Sequence, residues 1–209
     1  LFGAFPAQNS EDLFATIKSL YSEILPASNV LETALSNMNA VFHPPCMLMN
    51  TGWVESTGGD FLFYRQGMSP AVGRVTAVVD KERMAVAKAL GVKTRSFLDN
   101  FFEAGLTTKE ARDSNDISRA CYESMPNRTI KSPSSLDDRY IHEDVGYGLV
   151  PMSELGRMVQ VSTPTIDAII RLVSDATDIP YFRDGLTLEK MGINNLDKDS
   201  LQRYITQGS

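Results

Sequence analysis

The sequence predicts a mainly helical protein with a short α/β segment at its front. Three observations carry that expectation. From about Thr33 onward apolar residues recur at the three-and-four spacing of buried helix faces. Helix-starting pairs such as Ser69-Pro70 and Thr163-Pro164 punctuate the same stretch. Residues 1–32 alone read as strand, helix, strand. With 43% hydrophobic and 22% charged residues in a chain of 209, a substantial core can be buried.

The elements follow in order. Leu1-Phe2-Gly3-Ala4-Phe5-Pro6 is an apolar run ended by proline, and Ser10 ahead of Glu11 and Asp12 predicts a capped helix. Leu13, Phe14, Ile17, Leu20, Tyr21 and Ile24 share helical spacing, so this helix is expected to bury one face before Pro26 stops it. Asn29-Val30-Leu31-Glu32 is expected to be a short strand. Residues 34–49 have helical periodicity but contain Pro44-Pro45, which are expected to kink or split the segment at His43. Ser69-Pro70 opens a long helix whose apolar positions are Val72, Val75, Val78, Val79, Ala85 and Leu90, with Gly91 as its stop. A shorter helix over residues 97–103 closes at Gly105, Thr108 starts another, and residues 117–124 are helical up to Pro126. Residues 126–138 are polar, with two prolines and three serines, and read as a loop long enough to suspect a binding role. Residues 149–161 return to helix; Thr163-Pro164 caps one ending near Asp178, Thr187 a short one ending at Gly192, and residues 197–207 form the last.

A net charge of −6 argues against a broad grip on phosphate backbones, so nucleic acid is not an expected partner. No apolar run reaches the roughly 18 residues a membrane-spanning helix needs, and no secretion signal opens the chain, so no membrane partner and a cytoplasmic location are expected. Cys46 and Cys121 lack any paired spacing and read as reduced thiols, with no metal site expected. The first residue is Leu1 rather than methionine, from which removal of upstream sequence is expected.

Only two histidines, His43 and His142, offer proton transfer near neutral pH. His43 stands beside the proline pair and reads either as a hydrogen-bonded histidine in a packing face or as the acid/base group of a pocket. The second cluster runs Arg139-Tyr140-Ile141-His142-Glu143-Asp144-Val145-Gly146-Tyr147-Gly148 and is expected to be a loop before a helix. A charged loop with two glycines either is simply solvated or holds an anionic substrate. His142 reads as a surface residue, and Trp53 and Tyr147 as packing residues. Cys46, three residues from His43, raises a Cys/His nucleophile, but convergent geometry is not expected there.

Two motifs, Asn-Xaa-Asn-Xaa-Xaa-Xaa-His-Pro at residues 37–44 and Arg-Tyr-Xaa-Xaa-Glu-Asp-Xaa-Xaa-Xaa-Gly-Leu-Val-Pro at residues 139–151, together resemble the octopine/nopaline (opine) dehydrogenase family. Phe63-Tyr64-Arg65-Gln66-Gly67-Met68-Ser69-Pro70 and Leu31-Glu32-Thr33 extend the resemblance over most of the chain. The resemblance implies a helical domain similar to the C-terminal domain of phosphogluconate dehydrogenases, paired with an N-terminal Rossmann domain that binds NAD or NADP. No Gly-Xaa-Gly-Xaa-Xaa-Gly spacing occurs here. Residues 1–32 are therefore expected to be the tail of that other domain and residues 33–209 the helical substrate domain, inactive in isolation.

By the same resemblance, an amino acid and a 2-keto acid would condense to an imine that NAD(P)H reduces. His43 would be the acid/base group, and Asp144 its carboxylate partner, raising the imidazole pKa. Arg139 would bind a substrate carboxylate or the cofactor's pyrophosphate, with Asn37, Asn39 and Glu143 as further binding residues. Partners would then be these substrates, the chain's own Rossmann domain, and a second copy through apolar surface on residues 1–32. Two alternatives remain open: a non-catalytic helical interaction or dimerisation domain of the same fold, and a dehydrogenase acting on a 2-hydroxy acid.

Overall fold

The computed structural model describes residues 1–208 and contains, among them, thirteen α-helices and no strand longer than an isolated bridge. One long helix forms the centre. Helix α5 (Pro70–Ala89) starts as the sequence predicts, with Ser69 accepting the Val72 N–H and Pro70 in the first turn, and ends at Gly91 with φ of 74°. Its buried stripe of Val72, Thr76, Val79, Arg83 and Val86 follows the i, i+3/i+4 rule, so one helix presents apolar surface to several neighbours. These are α2 (Val30–Leu35), α3 (Asn39–Met49), α8 (Ile117–Tyr122), α10 (Val150–Met158) and α11 (Pro164–Thr177). The remaining helices are α1 (Ser10–Leu20), α4 (Thr51–Thr57), α6 (Phe97–Glu103), α7 (Lys109–Asp113), α9 (Arg139–Asp144), α12 (Tyr181–Asp184) and α13 (Lys198–Gln207).

Three charged side chains of α5 are buried and hydrogen-bonded. Arg83 donates through Nε and a terminal nitrogen to Asp80 Oδ1 at 2.9 and 2.6 Å, and through its guanidinium to the Leu35 and Arg95 carbonyls. Asp80 Oδ2 accepts the Phe97 N–H at 2.8 Å, so the pair ties the end of α2 and the start of α6 to α5. Glu82 accepts the N–H groups of Thr165 and Ile166, both at 2.9 Å, and so caps α11; Thr163, expected to do this, makes no cap hydrogen bond.

The expected strand at Asn29–Glu32 is instead the start of α2. Asn29 accepts the Leu31 and Glu32 N–H groups, while the Glu32 carboxylate reaches back to the Ser28 N–H and hydroxyl at 2.7 and 2.6 Å. This reciprocal capping outweighs the weak strand preference of two β-prone residues. The helix also runs across the boundary expected between residues 32 and 33. Pairing at the front reduces to one parallel bridge between Phe2 and Pro26, where the Phe2 N–H meets the Leu25 carbonyl and the Ala27 N–H meets the Phe2 carbonyl. Helix α1 has no buried residue, contrary to the expected buried face: Phe14, beside Phe2, and Ile17 are only half-buried, and Leu20 is 71% exposed. Ser10 does not cap α1, and its Oγ accepts the Ala4 N–H.

Three further expectations change. Pro44 and Pro45 lie inside α3 without splitting it, since Ala40 to Met47 are all buried and packing holds the segment. The break comes at Asn50, whose amide donates to the Cys46 and Gly67 carbonyls. Residues 139–148 are not a loop: Asp138 caps α9 by accepting the Tyr140 N–H, and a π-helical turn at Val145–Leu149 leads directly into α10. The glycines that suggested a loop serve close approach, for a Cβ on Gly148 would stand 2.4 Å from the Ala40 Cβ. Thr187 accepts the Lys190 N–H, but turns take the place of the short helix expected there.

Candidate active site

Helix α3 packs along α9 and meets the π-helical turn that follows it closely at Ala40 and Gly148, and this approach sets the position of His43 relative to Asp144 across 101 residues of sequence. His43 Nδ1 lies 2.8 Å from Asp144 Oδ2, with the His43 residue 3% exposed. Its Nε2 lies 3.1 Å from the Tyr64 hydroxyl. Tyr140 stacks on the imidazole with ring centres 3.6 Å apart and planes 9° apart, while Phe42 and Phe63 pack around it at 4.2 and 5.8 Å. The ring is thus locked at both nitrogens and covered on its faces.

The site opens on one side to a cavity of about 470 Å³ lined by Asn39, His43, Tyr64, residues 131–133, Asp138, Arg139 and Tyr140. Its far wall is held by backbone pairing, as the Ser132 N–H meets the Phe61 carbonyl and the Phe63 N–H meets the Ile130 carbonyl. Gly59 lets this wall close up, since its φ of 77° and contact with the Pro133 carbonyl leave no room for a side chain. Lys131, paired with Asp60 at 2.6 Å, and Arg139 put two cations on the rim. Both hold only solvent-exposed partners, so either is free to meet an anion.

Burial dominates the electrostatics. Loss of hydration disfavours the imidazolium and lowers the His43 pKa below its ordinary 6.5; the hydrogen bond and charge of Asp144 oppose this without overcoming it. The expected raised pKa is therefore corrected to a lowered one, because the imidazole lies in an aromatic cage. Burial also pushes the Tyr64 phenol far up, helped by the neighbouring Tyr140 hydroxyl, so Tyr64 keeps its proton. With Nδ1–H donated to Asp144, the neutral ring leaves a lone pair on Nε2, and the Tyr64 O–H donates to it.

The structure brings His43, Asp144, Arg139 and Asn39 to one place. Asn37 faces the backbone, its Oδ1 accepting the Asn39 N–H at 3.0 Å and so capping α3. Glu143 is exposed beside Arg139 at 3.8 Å and does not line the cavity. His142 links Asp137 to the Tyr181 hydroxyl, at 2.8 and 2.7 Å. Cys46 is buried with its Sγ near the Phe63 carbonyl, and burial raises its thiol pKa well above the ordinary value, so it is no nucleophile. Trp53 stacks on Phe61, whereas Tyr147, expected to pack, is 66% exposed. Among the described residues no cluster of three or more His, Cys, Asp or Glu side chains could hold a metal. No helix among the described residues is long and apolar enough to cross a membrane.

Sequence reasoning missed Tyr64, Tyr140 and Lys131. Tyr64 lies in the Phe63–Gly67 π-helical turn and Asp144 directly precedes the other, and such turns often re-aim side chains at working sites. The signal available was the Phe63-Tyr64-Arg65 run itself, which periodicity cannot interpret.

The fold and site are a helical domain with a buried histidine-carboxylate pair opening on a cation-rimmed cavity, groups chemically able to exchange a proton beside an anion. Comparison with known proteins then places it: residues 26–177 match the model of the NAD/NADP octopine/nopaline dehydrogenase α-helical domain, and the chain belongs to that family. It is 38% identical over 199 residues to an opine dehydrogenase of Arthrobacter sp. (strain 1C), covering 93% of this chain and 53% of that protein. It is 25% identical over 172 residues to protein ocs of Agrobacterium tumefaciens (strain Ach5), covering 81% and 46%. An octopine dehydrogenase solved with NADH and L-arginine shares the fold with a TM-score of 0.65 at 17% identity, covering 88% of this chain and 55% of that one. The chain thus spans about half the length of the curated relatives it matches. These relatives make it part of an oxidoreductase family.

Proposed function

We propose that this chain is the substrate domain of an NAD(P)-dependent opine dehydrogenase that joins an amino acid to a 2-keto acid through an imine. The observation that carries the reading is the His43–Asp144 pair at 2.8 Å on the wall of a cavity whose rim bears Arg139. The described residues do not fit the dinucleotide, for they contain no parallel sheet with a glycine-rich turn; in this reading a nucleotide-binding domain outside residues 33–209 holds it. The cofactor's contribution would be hydride at the imine carbon.

The protons belong to this chain. Forming the imine requires water to leave a carbinolamine, which needs a donor; the reverse oxidation needs an acceptor for a proton on the secondary amine. His43 serves both, with Asp144 fixing the Nδ1–H tautomer and partly offsetting the burial that disfavours the imidazolium. Arg139, its side chain 62% exposed on the cavity rim, would take a substrate carboxylate, with Asn39 beside it. Asn37 acts through the backbone of α3 rather than on the substrate, and Glu143 holds Arg139 loosely.

The test is a screen of the polypeptide carrying this domain and its nucleotide-binding partner, with amino acids, pyruvate and each reduced cofactor. Oxidation of NAD(P)H that needs both the amino acid and the keto acid, with a secondary amine as product, is expected. Oxidation with the keto acid alone, yielding a 2-hydroxy acid, would overturn the reading.

A further inference from the structure

We infer that Tyr64 carries the proton between His43 and the substrate amine, so that the acid/base group facing the substrate is a phenol backed by the imidazole. The inference rests on the proposed opine chemistry and deepens it. It begins from which atom of His43 is free to react. Nδ1 is taken by Asp144, leaving Nε2, and Nε2 already meets the Tyr64 hydroxyl at 3.1 Å. Tyr140 stacks on the imidazole and Phe42 and Phe63 pack against it, which narrows the approach to the ring. Tyr64 borders the same cavity as His43 and meets the one ring nitrogen that Asp144 does not hold.

The hydroxyl is suited to relay a proton rather than hold a charge. Its pKa is pushed far up by burial, so a phenolate does not accumulate, and the relay couples the movement of two protons. In the oxidation direction the secondary ammonium N–H bond breaks and leaves its electron pair on nitrogen, and that proton bonds to Tyr64 Oη. The original Tyr64 O–H bond breaks, and its proton bonds to the Nε2 lone pair. Tyr64 ends neutral, and His43 ends as imidazolium against the Asp144 carboxylate. In synthesis the same path runs outward, delivering a proton to the carbinolamine oxygen, which departs with its bonding pair as water. No oxidant or reductant enters this exchange.

Tyr64→Phe keeps the ring that packs among Phe42, Phe63 and His43 and removes only the oxygen. In the active polypeptide, kcat is expected to fall on the order of 10²-fold with KM little changed, as for loss of a proton-transfer group. A structural role would not predict the second readout, the solvent deuterium effect on kcat against deuterium fraction. The curve should bow in the parent, where two protons move together, and be straight in Tyr64→Phe. Difluorotyrosine at position 64, which changes phenol acidity in nearly the same volume, should alter kcat and its pH dependence while the fold is unaffected. On this chain alone, NMR should show a protected Tyr64 hydroxyl proton close to the His43 ring carbons.

Parental kcat in Tyr64→Phe with loss of activity in His43→Gln overturns the relay and leaves the opine reading standing. A straight deuterium plot in the parent, or a His43 ring protonated at Nε2 when neutral, also overturns it. Absence of any amine-dependent turnover overturns both.

Discussion

Gly148→Ala tests the crossing on which the site depends. A methyl group at position 148 would sit 2.4 Å from the Ala40 Cβ, where ordinary contact begins near 3.4 Å, so α3 and the Val145–Leu149 turn must separate by about 1 Å. Neither partner is the end of a flexible side chain, and both positions are buried where α3 meets the turn that follows α9, so the backbone must give. Overpacking of this kind costs about 1–3 kcal/mol, against which the better helix preference of alanine returns at most about 1 kcal/mol. The same displacement, carried to the pair that flanks the crossing, stretches His43–Asp144 from 2.8 Å to beyond the hydrogen-bond range. Urea unfolding should show the lower midpoint, and the downfield Nδ1–H resonance of His43 should broaden or vanish. The double variant Ala40→Gly/Gly148→Ala moves the methyl to the other side of the crossing and should restore the resonance, though Ala40→Gly alone costs about 1 kcal/mol of helix stability. If Gly148→Ala retains both midpoint and resonance, the close crossing does not set the pair.

Arg83→Met should destabilise by about 3–5 kcal/mol, because it leaves the buried Asp80 carboxylate unpaired and two carbonyls without a donor; thermal unfolding checks it. Glu82→Ala should cost about 1–2 kcal/mol and raise amide exchange at Thr165 and Ile166, the groups it now accepts from. The lowered His43 pKa means that the folded chain binds fewer protons at this residue than the unfolded chain. Its contribution to stability is therefore fully present above pH about 6.5 and lost as pH falls from there through the folded value. Urea midpoints should decline over that interval in the parent and decline less in His43→Gln; equal declines would refute the lowered pKa.

The sequence was most legible where capping chemistry and periodicity agree. Ser69-Pro70 and Gly91 bound α5, Thr108 starts α7 and the last helix lies within residues 197–207, as read from residues alone. It failed where distant residues decide. The buried Glu82 that caps α11 lies 83 residues from the N–H it meets, and burial rather than local preference keeps Pro44 and Pro45 inside α3. The His43–Asp144 pair was legible through the two motifs, but its electrostatics were not. Spacing shows that a carboxylate approaches the ring, whereas the aromatic cage that reverses the net shift is assembled from Phe42, Phe63 and Tyr140 by folding. Tyr64 escaped notice because a π-helical turn leaves no periodic signature.

The most direct test of the central claim follows the pH dependence of turnover in the active polypeptide, comparing the parent with Asp144→Asn and His43→Gln using one amino acid throughout. Asp144 favours the imidazolium, so its neutralisation lowers the His43 pKa further. The falling limb of synthesis, which needs the imidazolium, and the rising limb of oxidation, which needs the neutral ring, should both move to lower pH in Asp144→Asn. His43→Gln should abolish that ionisation and lower the rate on the order of 10²- to 10⁴-fold. A limb that stays in place in Asp144→Asn and survives in His43→Gln would contradict the account, since the proton would then belong to another group.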